Sequence, residues 1–278
     1  MKGPASSHGV RPAAQAGRFY PGSAAALGRA AEDYLRNAVG GGASDPKAIV
    51  APHAGYRYSG PVAGSAFAPW AGKAGVIRRV VILGPSHWVN FDGVALPGVG
   101  AMATPLGSVP VDAEAVATLA DLPQVHVYPD AHTPEHAIEV ELPFLQVVLG
   151  AGFTIVPLVV GRENDAGLAA VIERLWGGAE TRFVLSSDLS HYLSYSEARE
   201  ADAETAAAIE RQEITAITSR RACGSRPIRG FLVAAEPHPV QVRTVDLRNS
   251  GDTAGPRDSV VGYGAFHFAA EPASPISS

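Results

Sequence analysis

The chain has 278 residues, 46% hydrophobic and 18% charged, enough for a full core but with no run of the ~20 apolar residues a membrane helix needs. Lysine plus arginine number 22 against 27 aspartate plus glutamate, a formal net charge of −5, so a nucleic-acid partner has no electrostatic drive. The single Cys223 excludes an intramolecular disulfide and the Cys-pair zinc modules.

Residues 1–11 lack the apolar centre of a secretory signal, so a soluble cytoplasmic protein with no membrane partner is expected. Residues 1–10 and 271–278 are rich in Ser, Pro, Ala and Gly and are expected to fray around one α/β domain over 11–270. Ser23 is placed to cap a helix with Leu27, Ala31, Tyr34 and Leu35 on its apolar face, stopped by Gly40–Gly42. Residues 48–51 predict a strand, and 59–70 a helix with Pro61 in its first turn. A buried strand follows at 79–83. Asp112 predicts a cap for a helix to about Leu122, and 135–149 predicts another helix. The second half repeats the alternation, with strands at 153–160 and 182–185 around a helix at 166–176. Ser196 is the expected cap of a long helix to about Gln212. A helix at 228–235 and strands at 240–247 and 259–268 complete the chain. This alternation predicts a central, largely parallel sheet flanked by helices, with ligands beyond the carboxyl ends of its strands.

Three predicted strands run directly into polar residues. The first ends in Ala51-Pro52-His53-Ala54-Gly55-Tyr56, the second in Gly84-Pro85-Ser86-His87, and the third in Ser186-Ser187-Asp188-Leu189-Ser190-His191. A parallel sheet would gather His53, His87, Asp188 and His191 at one edge. Two imidazoles with one anionic donor suit a transition metal and leave positions open for a ligand. Asp188, a glutamate near His136, or Cys223 could supply the third donor. Arg220 and Arg221 beside Cys223 would favour its thiolate. His132, His136 and Glu139 would share one face if their segment were helical, although Pro134 and the order of residues depart from a zinc HExxH motif. The glycine runs match no nucleotide-binding loop, and Ser86, Ser187, Asp188 and His191 lack the nucleophile elbow of a hydrolase.

Taken together, APHAGYRYSG (51–60), LGPSHW (83–88), PEHAIEVELPFLQ (134–146), SSDLSHY (186–192), ACGSRPI (222–228) and NSGDT (249–253) resemble the Memo-like family, whose bacterial members are called AmmeMemoRadiSam system protein B. The resemblance implies a fold like the class III extradiol dioxygenases and a metal pocket built from His53, His87 and Cys223. It implies Asp188 and His191 in the same pocket, with His191 as acid/base. Fe(II) is the expected metal, with Cu and Zn as the other candidates. Ring-cleaving relatives carry a glutamate where this chain has Cys223, so the chemistry need not be ring cleavage.

Two functions follow as expectations. One is a non-haem iron or copper redox enzyme, an oxidoreductase with a dioxygenase-like pocket in which His191 moves protons and the Asp188 carboxylate orients its ring. The alternative is a non-catalytic module that uses the pocket for a peptide or phosphotyrosine side chain, or for metal carriage. His136, Tyr56, Trp88 and Tyr192 are the expected substrate contacts for a small-molecule or peptide ligand. The family name further implies association with a radical SAM protein and an AMMECR-type protein.

Overall fold

The computed structural model describes residues 9–40 and 45–270; the expectations for residues 1–8, 41–42 and 271–278 lie outside them. Along the chain run β1 (Val10–Arg11), α1 (Ala24–Arg36), β2 (Ala48–Ala51), α2 (Tyr56–Phe67), β3 (Arg79–Pro85), β4 (Val94–Leu96), β5 (Ala101–Thr104), β6 (Gly107–Pro110) and α3 (Ala113–Ala117). Next come β7 (Val125–Val127), α4 (Pro129–His132), α5 (Leu142–Leu149), β8 (Thr154–Val160), α6 (Asp165–Arg174), β9 (Thr181–Ser186) and β10 (His191–Leu193). The chain continues with α7 (Tyr195–Glu210), α8 (Ser225–Ala234), β11 (Val240–Asn249), α9 (Ser250–Thr253) and β12 (Val260–Ala270).

Among the described residues one sheet has nine strands, in the order β10-β12-β2-β9-β3-β8-β4-β7 with β11 also on β12, and a small sheet is ordered β1-β5-β6. The expected parallel arrangement holds at the centre, where β2, β9, β3 and β8 pair parallel. The wings differ: β12 runs antiparallel to β2 and β11, and β4 antiparallel to β8. Only a short connection holding α9 joins β11 to β12, less than the dozen or more residues a parallel crossover needs.

Alternate residues of the central strands point to opposite faces, and both faces are covered. Val50, Val81, Leu83, Phe183 and Leu185 pack against α6 and α8 through Leu168, Ile172, Ile228 and Phe231. Ile49, Val80, Ile82 and Val184 pack against α1, α2 and α5 through Leu27, Val62, Phe67 and Phe144. These buried layers hold the strand ends rigidly.

Several helix boundaries depart from expectation. Ser23 caps α1 as predicted, but the helix ends at Arg36, before Gly40. α2 begins at Tyr56 rather than Ser59, ends at Phe67 with a 3-10 turn to Trp70, and carries Pro61 inside it. Proline removes one N–H there, a loss a well-packed helix tolerates. Asp112 caps α3, which stops at Ala117. α7 is capped by Ser194 in a box with Glu197, two residues before Ser196.

The largest correction concerns 135–149. Only Leu142–Leu149 is α-helical, preceded by a 3-10 turn at Glu139–Glu141. The backbone before it bonds to side chains instead. Arg11 takes the carbonyls of His132, Thr133 and Glu135, and the Glu135 carboxylate takes the amides of His136 and Ala137. With those groups occupied, no helix forms across 133–138, and His132, His136 and Glu139 share no helix face.

Candidate metal centre

β2, β9 and β3 lie side by side and parallel, so His53, Asp188 and His87, each two residues past a strand end, meet at one edge of the sheet. His136 arrives from the irregular 133–138 segment, which lies against β3 at Gly84. A Cβ there would stand 2.9 Å from the Ala137 Cβ. Cys223 arrives from the turn before α8, which presses onto the end of β9. A Cβ at Gly224 would stand 2.4 Å from the Ser186 carbonyl oxygen, so glycine is what permits the approach.

The potential ligand atoms of His53, His87 and His136 all lie within 4.8 Å of one another. The His87 and His136 rings stack at 4.4 Å, and His53 stands edge-on to both. Cys223 Sγ is 3.3 Å from His53 Nε2. Metal bonds of ~2.1 Å to nitrogen and ~2.3 Å to sulfur in a tetrahedral shell put neighbouring donors roughly 3.5 Å apart, so this pair has the separation of one coordination edge.

The other ring nitrogens are tied down. His53 Nδ1 lies 2.7 Å from Ser186 Oγ, and His87 Nδ1 lies 2.8 Å from Glu135 Oε1, which leaves both Nε2 atoms toward the cluster. A carboxylate behind a ligating imidazole is the arrangement that orients metal ligands. His136 Nδ1 is buried without a hydrogen-bond partner, 3.4 Å from Glu135 Oε1. A buried polar atom with no partner among borderline-soft donors fits a transition metal.

Burial holds His53 and His136 neutral, the form a metal requires. It lowers His53 well below the ordinary histidine range, with neighbouring His87, His136 and His191 adding to the effect. It brings His136 down to about 4 and lowers His191 as well. Burial alone would raise Glu135, but the hydrogen bond and charge of His87 outweigh it and hold this carboxyl below its usual range. Burial lifts Asp188 to about 7, opposed by the backbone amides of His53 and Ala54.

The structure corrects several expectations here. Burial, reinforced by Asp188, pushes the Cys223 thiol up to about 12, and Arg221 pairs with Glu204 instead of favouring a thiolate. A metal that takes Sγ must therefore displace its proton. Asp188 does not hold the His191 ring: its Oδ1 accepts the His53 amide at 2.9 Å, while His191 bonds to the Leu189 backbone. Tyr56 lies in the core against Tyr20, Tyr34 and Phe144, with its hydroxyl donated to the Val140 carbonyl, which leaves no face for a ligand. Trp88 and Tyr192, by contrast, are exposed, at 60% and 78%. Tyr192 also takes a left-handed backbone (φ 60°) at an irregularity in the pairing of β10 with β12.

Sequence reasoning missed the work of Glu135 and Ser186. Glu135 adjoins His136, and Ser186 lies two residues before Asp188. Yet the imidazoles they hold are 48 and 133 residues away along the chain.

The description "Memo-like protein" fits residues 11–267. A MEMO1 family protein of Aeropyrum pernix is 35% identical, with 92% of this chain and 98% of the relative covered. One from Methanopyrus kandleri is 34% identical over 93% and 98%, and one from Ignicoccus hospitalis 35% identical over 93% and 98%.

Proposed function

The chain belongs to the Memo-like family, and from that premise and the geometry of the site we propose that it is a metal-dependent redox enzyme with a dioxygenase-like pocket. The observation that carries this reading is the convergence of His53, His87 and His136 within 4.8 Å, with Cys223 Sγ 3.3 Å from His53 Nε2. In this reading His53, His87 and Cys223 hold the metal, Fe(II) or else Cu, and His136 faces the open side as a substrate contact. When bound, such a metal supplies one-electron chemistry and a Lewis acid for dioxygen or a phenolic substrate.

The chain's own residues do the rest. Glu135 orients His87, and Ser186 orients His53. His191 is neutral at working pH, within electrostatic reach of His53 and His87, and takes a substrate proton on the ring nitrogen not bonded to Leu189. Asp188, near its midpoint at neutral pH, exchanges a proton in the same pocket. The exposed rings of Trp88 and Tyr192 favour a second reading, a non-catalytic module for peptide binding or metal carriage. Association with a radical SAM protein and an AMMECR-type protein belongs to either reading.

The test begins with elemental analysis of anaerobically purified protein. About one transition-metal ion per chain is expected in the wild type and in the surface variant His126→Ala, and none in His53→Ala. Equal content in wild type and His53→Ala overturns the metal assignment. Wild type and His191→Gln at equal occupancy are then compared for dioxygen consumption with catechols, phenols and thiols. Loss of turnover by ~10²–10⁴-fold in the variant supports the acid/base role. Equal rates remove it, and no consumption by either protein favours the binding module.

A further inference from the structure

Behind His53, on the side away from the cluster, lie two buried groups, Ser186 and Glu141, and the proposed reaction gives no role to the second. Ser186 Oγ has three close neighbours: His53 Nδ1 at 2.7 Å, the Ala137 carbonyl oxygen at 2.6 Å and Glu141 Oε1 at 2.8 Å. A serine hydroxyl has one hydrogen and two lone pairs, so three hydrogen bonds saturate it.

The hydrogens can be counted. A carbonyl oxygen cannot donate, so the 2.6 Å contact to Ala137 requires the serine's own hydrogen. Both other contacts must then donate to Ser186. For His53 this means a hydrogen on Nδ1 and a lone pair on Nε2. For Glu141 it means a hydrogen on the carboxyl. Any other placement leaves at least one pair of these acceptor atoms, two oxygens or an oxygen and Nδ1, facing each other at hydrogen-bond distance with no hydrogen between them.

The surroundings agree with the count. Glu141 Oε2 is buried with no hydrogen-bond partner, and no ion pair reaches Glu141 among the described residues. An anionic carboxylate there would be an uncompensated buried charge, whereas a neutral acid leaves only a carbonyl oxygen unpaired. Burial moves its acidity in the same direction, well above the ordinary carboxyl range.

We infer that Glu141 is a neutral carboxylic acid which, through Ser186, holds His53 in the tautomer that presents Nε2 to the metal. Glu141 is thus a positioning residue, and the inference rests on the metal-centre reading only for its consequence. The chain Glu141–Ser186–His53 reaches a ligand from the 3-10 turn before α5. The Glu135–His87 pair does the same for the second ligand with an ionised carboxylate.

The test uses the full chain, first without metal. The infrared difference spectrum of wild type minus Glu141→Gln at neutral pH should contain the carbonyl stretch of a protonated carboxyl, shifted in D₂O. Nitrogen-15 NMR of histidine-labelled protein should show His53 protonated on Nδ1. Absence of that stretch, or a hydrogen on His53 Nε2, overturns the proposal. Anaerobic titration with Fe(II) then reads the consequence. Glu141→Gln keeps an N–H donor for Ser186 and should bind like wild type, whereas Glu141→Leu should bind about 10–100-fold more weakly. Wild-type affinity in the leucine variant also overturns the proposal. If wild type itself takes up no Fe(II), the metal reading fails, and the infrared band and the tautomer decide the role of Glu141 by themselves.

Discussion

Buried carboxyls in this protein behave differently according to what donates to them. Glu135 receives the His87 amide and ring and the amides of His136 and Ala137, and remains ionised although almost wholly buried. Asp202 receives only the amide and hydroxyl of Ser190, and burial raises it from 3.8 to about 6. The folded protein therefore keeps a proton on Asp202 where the unfolded chain has lost it. The stability this group contributes is complete below its unfolded value and is lost as pH rises from 3.8 to about 6. The loss is on the order of 3 kcal/mol. Asp202→Asn has no proton to lose, so its stability relative to wild type, measured by urea unfolding, should increase across that interval. A difference that stays constant with pH would contradict the assignment.

Secondary-structure elements contribute to the site mainly at their ends. α8 brings Cys223 to His53 because Gly224 lets its first turn touch the end of β9. Gly224→Ala forces a Cβ against the Ser186 carbonyl oxygen and should cost about 1–3 kcal/mol of stability, as overpacking does. It should also weaken metal uptake, because Cys223 moves with the turn. Ser194→Ala, by contrast, removes only the cap of α7. It should cost ~1 kcal/mol and leave metal affinity unchanged. Thermal unfolding together with metal titration separates the two. Equal metal affinity in Gly224→Ala and wild type would remove Cys223 from the ligand set or show that the turn does not place it.

Across the whole molecule, the N-terminal segment locks the loop that carries His136. Arg11 pairs with Glu139 at 2.5 Å and also bonds to three carbonyls between His132 and Glu135. The Glu139 carboxylate in turn accepts the amides of Ala14 and Gln15 and the Tyr20 hydroxyl. Arg11→Ala leaves a buried carboxylate without its cation and should cost about 3–5 kcal/mol. Because the same loop carries Glu135 and His136, metal affinity should fall with it. A stability change of under ~1 kcal/mol in chemical denaturation would show that the pair is not structurally important. Arg11→Lys should restore little, since an ammonium cannot match the guanidinium fork that reaches four acceptors.

The central β-branched runs are apolar on both faces, which requires a sheet covered on both sides, and their endings in His53, His87 and Asp188 are read directly from the residues. The sequence by itself therefore determined the α/β class, the strands at the centre of the sheet and the gathering of these residues at one edge. Local periodicity does not report partners that are distant along the chain. The helix expected over 135–149 fails in its first half because Arg11, more than 120 residues away, takes the carbonyls, and because Glu135 turns its carboxylate back on the following amides. The thiol of Cys223 stays protonated because the fold buries it beside Asp188, whatever its sequence neighbours carry. Tyr56 points into the core rather than the pocket because α2 begins at that residue and turns it toward Phe144. Tautomers, protonation states and the placement of His136 are set by burial and by hydrogen bonds between distant segments, and those exist only once the chain has folded.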